Sequence, residues 1–429
     1  MMSTIAQILL WDVPVGTVIL EDGAPTATYH YDRAFLTSGI QIAPLMMPLA
    51  DVDYRFPALP QDSFHGLPGL LADSLPDKFG NAVIDAWLVS QGRTPESFNA
   101  VERLCYTGKR GMGALEFVPV TGPDYSSSHS IEVERLVELV SDILTRREEP
   151  AIRSDNPTME QIIQVGTSAG GARAKAVVAW NEKTNEICSG QIDAGKGFHY
   201  WLMKFDGIKN NRDKEDIDDP SYTRIEYAYY LMAKNAGIQM NECRLYEENG
   251  RAHFMTLRFD REENGRKIHM QTLGAIGHFD FNNPGSVGYE TAAQIMRRMD
   301  LNQSEVEELY RRMVFNVYAR NQDDHVKNIS FLMNRRGEWS LAPAYDMTYA
   351  YNPGGLWTGG HQMTINGKRN NVSIEDLNQA GNQMGITKAN MRRIQDQVYS
   401  SVKNWNDWAD IARVPEQKME SIQKNFEIV

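Results

Sequence analysis

The 429 residues carry 44 Lys and Arg against 56 Asp and Glu, a formal net charge of −12, with 42% hydrophobic and 23% charged residues. A chain of this length and ordinary composition buries a large core and has room for two or three domains, which excludes a single small module or an extended disordered tract. The acidic balance would repel a phosphate backbone, so unaided nucleic-acid binding is not expected, and Cys105, Cys188 and Cys243, odd in number and far apart, speak against a disulfide framework or a zinc site.

The first residues, MMSTIAQILLWDVPVG, read as a strand. They lack the basic region and long apolar stretch of a signal peptide, and no run approaches the roughly 18 apolar residues needed to span a bilayer, so a reducing cytoplasm is the expected location. To about Pro119 short apolar runs such as ILLW and VGTVIL alternate with turn residues, followed by a helical stretch, NAVIDAWLVSQ, and a closing strand, ALEFVPV. This pattern predicts a small α+β domain. The turn formers from Thr121 to Ser130 mark its boundary, and IEVERLVELVSDILTRREE then has apolar residues at helical spacing with Ser130 as N-cap.

From Gln161 the pattern becomes strand (QIIQVG), glycine-rich turn (TSAGGARAK) and strand (AVVAW), with FHYWLMKF as a further strand. A helix, TRIEYAYYLMAKNAG, ends at Gly237 as its C-cap, and the strands CRLYEE and HFMTLRFD are joined by the turn Asn249–Gly250. Beyond Arg261 the chain turns helical, with TAAQIMRRM, SEVEELYRRMVFNVYARN and ITKANMRRIQDQVYSSVKNWNDWADIA as amphipathic runs. The expected division is 1–120, 121–260 and 261–429: a small α+β domain, a β-rich lobe and a helical lobe, with a cleft between the two lobes where a ligand would bind.

The chemistry concentrates in NQDDHVKNISFLMNRRGEWSLAPAYDMT, Asn321 to Thr348. Phosphoryl transfer needs a carboxylate to orient or deprotonate the attacking hydroxyl and oxygen ligands for Mg2+. Asp323, Asn328 five residues on and the more distant Asp346 can supply them. Upstream, Val165 to Lys175 places glycines that let backbone N–H groups approach phosphate oxygens beside Arg173 and Lys175. It is not a Walker loop, because Lys175 is followed by Ala176 and a strand. Lys204 closes a predicted strand, the position from which kinases neutralise phosphates.

The pattern D-x-H-x-K-N followed by an Asp resembles the catalytic and metal-binding segments of HipA kinases, and Ser168 to Lys175 is similar to their phosphate-binding loop, S-x-x-G-x-x-x-K. Leu71 to Leu88 and Thr107 to Phe117 resemble the two signature stretches of the domain that precedes the HipA core. The resemblance covers nearly the whole chain. It implies an α+β fold with a two-lobed protein-kinase-like core, β-rich N-lobe and helical C-lobe, preceded by a small α+β domain. It also implies an ATP- and Mg2+-dependent serine/threonine kinase with Asp323 as catalytic base and Asn328 and Asp346 on the metal. Contacts to ATP would come from Ser168, Gly170, Gly171, Ala172, Arg173, Ala174, Lys175 and Lys204, from the adenine linker Leu257, Arg258 and Phe259, and from His325, Val326, Lys327, Asn328, Tyr345 and Asp346. Ser168 would be the autophosphorylation site, and Glu226 the ion-pair partner of Lys204 by analogy with kinases.

HipA proteins act as toxins paired with a small helix-turn-helix antitoxin (HipB-like) that brings them to operator DNA, and one substrate class is an aminoacyl-tRNA synthetase, notably glutamyl-tRNA synthetase. A small-molecule kinase with the same core and a nucleotide-binding regulatory scaffold are the alternatives. Asp324, where relatives often carry glycine, and Arg173-Ala174 depart from the family pattern.

Overall fold

The computed structural model describes residues 3–122, 131–145, 173–191, 193–208, 221–262 and 264–427. The predicted strand QIIQVG, Ser130, and Ser168, Gly170, Gly171 and Ala172 lie outside these residues.

Alternation of apolar and polar residues builds the first sheet, in which β1 (Ser3–Leu10) buries Ala6, Ile8 and Leu10. β1 pairs with β2 (Val13–Glu21) through a tight turn whose Trp11 and Asp12 both have positive φ, and β3 (Thr28–Tyr31), β4 (Asp53–Tyr54) and β5 (Leu115–Val118) complete the antiparallel order β4-β3-β2-β1-β5. The helix Lys78–Ser90 follows Asp77, whose carboxylate caps it by accepting from Gly80 N–H at 2.6 Å. Helix Val133–Thr145 starts later than a cap at Ser130 would place it, because Ile131 N–H is taken by Ile187 O at 2.8 Å.

The second antiparallel sheet has the order β7-β6-β8-β10-β9, built from β6 (Lys175–Asn181), β7 (Glu186–Ser189), β8 (His199–Lys204), β9 (Cys243–Glu248) and β10 (Arg251–Leu257). Asn249 and Gly250, at φ 45° and 80°, make the β9–β10 turn that an Asn-Gly pair favours. The short edge strand β7 had no signal beyond the four residues EICS. The helix Tyr222–Asn235 ends as expected: Gly237, at φ 81°, supplies the left-handed residue, its N–H bonding Lys234 O and that of Ile238 bonding Ala233 O. The core of this sheet is shared across the first boundary, since Phe79, Val83, Ile84 and Leu88 pack in one cluster with Val178, Trp201, Met203 and Met255.

The remainder is mostly helical, with helices Tyr289–Arg298, Gln303–Tyr318, Ile374–Gln383, Lys388–Lys403, Trp405–Ile411 and Glu416–Gln423. It also holds a three-stranded sheet in the order β11-β12-β13: β11 (His269–Thr272), β12 (Ser330–Met333) and β13 (Trp339–Leu341). The helix Gln303–Tyr318 is fixed at its start by a reciprocal capping box, Asn302 with Glu305, and buries Val306, Leu309, Tyr310, Met313, Val314 and Val317 at helical spacing. The architecture is therefore α+β, a β-rich lobe and a helical lobe preceded by a small α+β domain. Among the described residues no helix is long and apolar enough to cross a membrane.

Candidate active site

Strand β8 delivers Lys204 to the boundary of the two lobes, where its ammonium lies 2.5 Å from Glu226 on the helix Tyr222–Asn235 and 2.5 Å from Asp346. All three side chains are removed from bulk water, most fully Lys204 and Glu226. Burial alone would pull the lysine down, but Asp346 and Glu226 together outweigh it and hold Lys204 above the usual lysine range. Burial likewise opposes ionisation of Asp346, yet Lys204 and then Lys175 hold its carboxyl down at about 2. Burial pushes Glu226 up against the pull of Lys204, so Asp346 is the acid held firmly as a carboxylate. Asp346 sits at φ 53°, a left-handed conformation that Asp tolerates better than most residues and that recurs at functional sites.

The helix Gln303–Tyr318 is stopped by Arg320 at φ 53°, and Asn321 N–H turns back onto Asn316 O at 3.0 Å. The segment that follows is a short loop ending at β12. Within it Asn328 N–H donates to His325 O at 2.8 Å and Asn328 Nδ2 to Asp323 O at 2.7 Å, which leaves the amide oxygen of Asn328 as its acceptor face. His325 Nε2 is 4.0 Å from the partly exposed Asp323 carboxylate. Lys327 Nζ stands 4.2 Å over the Phe281 ring, and Tyr345 Oη donates to Lys327 O at 2.6 Å. Asn328, His325, Tyr345 and Asp346, with Asn316 and Asn321, line one narrow pocket.

Asp324 has a different place from its neighbour. It is buried and accepts from Tyr289 Oη at 2.8 Å and Gln362 N–H at 2.7 Å, with His361 Nδ1 2.9 Å away, so it ties the 361–362 segment to the loop that follows Asn321. The departure from glycine at this position is thus filled by structure. Arg173 stacks its guanidinium 3.7 Å from the centre of the Tyr222 ring, and Ala174 and Val326 point into apolar cores. Lys175 is the direct cross-strand partner of Lys204 in the β6–β8 register. The segment Leu257–Phe259 leaves the sheet here, with the N–H groups of Leu257 and Arg258 donating to Glu242 O and Tyr200 O. Phe259 packs 5.5 Å from Tyr345.

The two N-terminal stretches, Leu71 to Leu88 and Thr107 to Phe117, lie in or beside segments that contact residues far along the chain. Asp77 Oδ2 lies 3.7 Å from Lys175 Nζ. Asp73 accepts from Thr272 N–H and Oγ1 at 2.7 and 2.9 Å, and the residues after Thr272 bond the loop that carries Asp323, Leu273 N–H to Ile329 O and Gly274 N–H to Val326 O. Gly113 N–H donates to Asp260 Oδ2 at 2.7 Å, an oxygen also bonded by Arg258 and Arg261. The signal that could have found these was an acid directly before a helix, or between two arginines, in otherwise apolar surroundings.

Asp346 and the amide oxygen of Asn328 are hard oxygen donors of the kind Mg2+ takes. Among the described residues no cluster of three His, Cys, Asp or Glu side chains is placed to hold a metal ion.

Residues 6–118 match the HipA N-terminal domain and residues 167–405 match the HipA-like C-terminal domain, the latter more than half of the chain. A candidate kinase of Haemophilus influenzae is 27% identical over 140 residues, 30% of this chain, and the match spans 41% of that protein's length. The solved Shewanella oneidensis MR-1 toxin–antitoxin complex of HipA, HipB and operator DNA has a chain that superposes with a TM-score of 0.67, covering 98% of this chain and 94% of that one at 16% identity, a likeness of fold.

Proposed function

The chain belongs to the HipA family, and from that premise we propose that it is an ATP- and Mg2+-dependent serine/threonine protein kinase acting as the toxin of a type II toxin–antitoxin pair. The observation that carries this reading is Lys204 held between Glu226 and Asp346 at 2.5 Å each, with Asp346 and Asn328 lining one pocket. Bound MgATP would supply the phosphoryl group. Lys204 and Lys175 neutralise phosphate charge, while Asn328 and Asp346 hold the metal. This reading gives the base to the Leu257–Phe259 linker and nucleotide contacts to His325, Lys327 and Tyr345 and to Ser168, Gly170, Gly171, Ala172 and Arg173, with Val326 and Ala174, whose side chains lie in apolar cores, contributing through their main chain. Asp323 orients the substrate hydroxyl and takes its proton as the oxygen bonds to phosphorus and ADP leaves.

The same reading divides the chain at 120 and 260 and places it in the cytoplasm. Its partner would be a small HipB-like helix-turn-helix protein, through which a chain of net charge −12 could reach operator DNA. The protein substrate would be an aminoacyl-tRNA synthetase such as glutamyl-tRNA synthetase. Incubation with Mg2+ and γ-labelled ATP, alone and with cell extract, should label this protein and one extract protein. Absence of label on protein despite ATP binding would overturn the reading in favour of a metabolite kinase or a scaffold.

Self-phosphorylation at Ser168 would place roughly 1.5 to 2 negative charges where the γ-phosphate belongs and switch the enzyme off. Mass spectrometry should therefore find phosphate on Ser168, and Ser168→Ala should stay active through prolonged incubation with ATP while the wild type declines. An unmodified Ser168 together with an Ala variant that is no more active than wild type would sink this part of the proposal.

A further inference from the structure

The Asp77 carboxylate faces two ways. Oδ1 accepts from Gly80 N–H and caps the helix Lys78–Ser90, while Oδ2 lies 3.7 Å from Lys175 Nζ. The two side chains are only 6% and 5% exposed. A cap needs a single acceptor oxygen, and Asn or Ser serves as well as Asp. A carboxylate is therefore more than the helix requires, and an ion in the interior is costly unless it answers another ion.

The ion it answers is Lys175. Lys175 and Lys204 are direct partners in the antiparallel register of β6 and β8, so both side chains leave the same face of the sheet. Lys204 already occupies Glu226 and Asp346. Lys175 also acts on Asp346, and Asp77 gives it an anion apart from the two that hold Lys204. The segment carrying Asp77 is packed where it can prevent this, because Phe79, two residues on, shares the apolar core with Ala174 and Ala176 on either side of Lys175.

We propose that Asp77 is a positioning residue of the nucleotide site: its carboxylate holds the Lys175 ammonium apart from the Lys204 ion pair, so that two separate cations meet the phosphates. The first 120 residues then complete the kinase site and do not merely precede it. This rests on the reading of Lys175 as a phosphate-binding residue of a kinase.

The test uses the full chain with Asp77→Asn and Asp77→Ser, both of which keep the cap and remove the charge. Calorimetric titration with MgATP should show affinity lowered on the order of tenfold, the scale of losses when a residue that orients a ligand is removed. The KM for ATP should rise with kcat nearly unchanged; thermal unfolding should come at a lower temperature, because Lys175 loses the partner of a buried pair, with both variants still fully folded at the assay temperature. Lys175→Gln should lose at least as much affinity, and Asp77→Asn combined with it should lose no more than Lys175→Gln alone, because one residue acts through the other. Wild-type affinity in both Asp77 variants, tighter binding, or losses that simply add in the double variant would overturn the proposal while leaving the kinase reading in place. Failure of the wild type itself to bind MgATP would instead bring down the kinase reading, and the proposal with it.

Discussion

Asp323→Asn is expected to lower phosphoryl transfer by roughly 10²- to 10⁴-fold, the contribution a positioned general base makes, while leaving the fold and MgATP binding unchanged. The geometry separates these two effects. Asp323 is partly exposed, and His325 Nε2 lies 4.0 Å from its carboxylate. The bond that shapes the loop runs from Asn328 Nδ2 to the main-chain oxygen of Asp323, which the substitution keeps. The groups assigned to phosphate and metal, Lys204 with Glu226 and Asp346, form their own cluster. Transfer of label from γ-labelled ATP, measured beside calorimetric binding of MgATP, checks both halves. Retained transfer would remove Asp323 from the mechanism, and lost binding would mean that its charge serves the nucleotide and not the hydroxyl. The adjacent Asp324 is a contrast within one dipeptide: three groups converge on its buried carboxylate, so the same substitution there would act on the loop that it ties to residues 361–362.

The parts of this site that were legible in the sequence are those set by local pattern. A lysine ending a strand and a glutamate on the following helix are 22 residues apart, and the alternation of β8 together with the helical spacing after Tyr222 brings them together. Asn249–Gly250 named its own hairpin because only such residues accept two successive positive φ angles cheaply. The missing parts are those in which the partner is remote or the element too short to show a period. β7 has four residues, and β11 pairs with β12 across some sixty residues that include three helices. The Asp77–Lys175 and Gly113–Asp260 contacts link positions about a hundred residues or more apart, and nothing in the local pattern around any of them names its partner. What the sequence could offer was an acid set directly before a helix or between two arginines, which suggests a partner without saying where.

Asp260 is such an acid, and Asp260→Asn is expected to destabilise the protein by about 3–5 kcal/mol, the cost of removing one partner from a buried ion pair. Its carboxylate is wholly buried, bonded by Arg258 through both Nε and Nη2 at 2.8 and 2.7 Å, by Arg261 at 2.8 Å and by Gly113 N–H at 2.7 Å. Asparagine keeps the shape but leaves two buried guanidinium groups without their anion. The acid dependence follows from the same contacts. Burial would raise the Asp260 pKa, but Arg258 and Arg261 together hold it well below the ordinary carboxylate range. The unfolded chain therefore takes up the proton first, near the ordinary Asp pKa of about 3.9. The stabilisation is present in full above that pH and is lost as the pH falls from there through the folded pKa. Denaturant unfolding of wild type and Asp260→Asn across pH 7 to 2 should show a stability gap that is constant down to about pH 4 and narrows below it. A gap under about 1 kcal/mol at neutral pH would place the pair among ion pairs that contribute little, and a gap unchanged at pH 2 would mean that the charge of Asp260 is not what joins Gly113 to the linker.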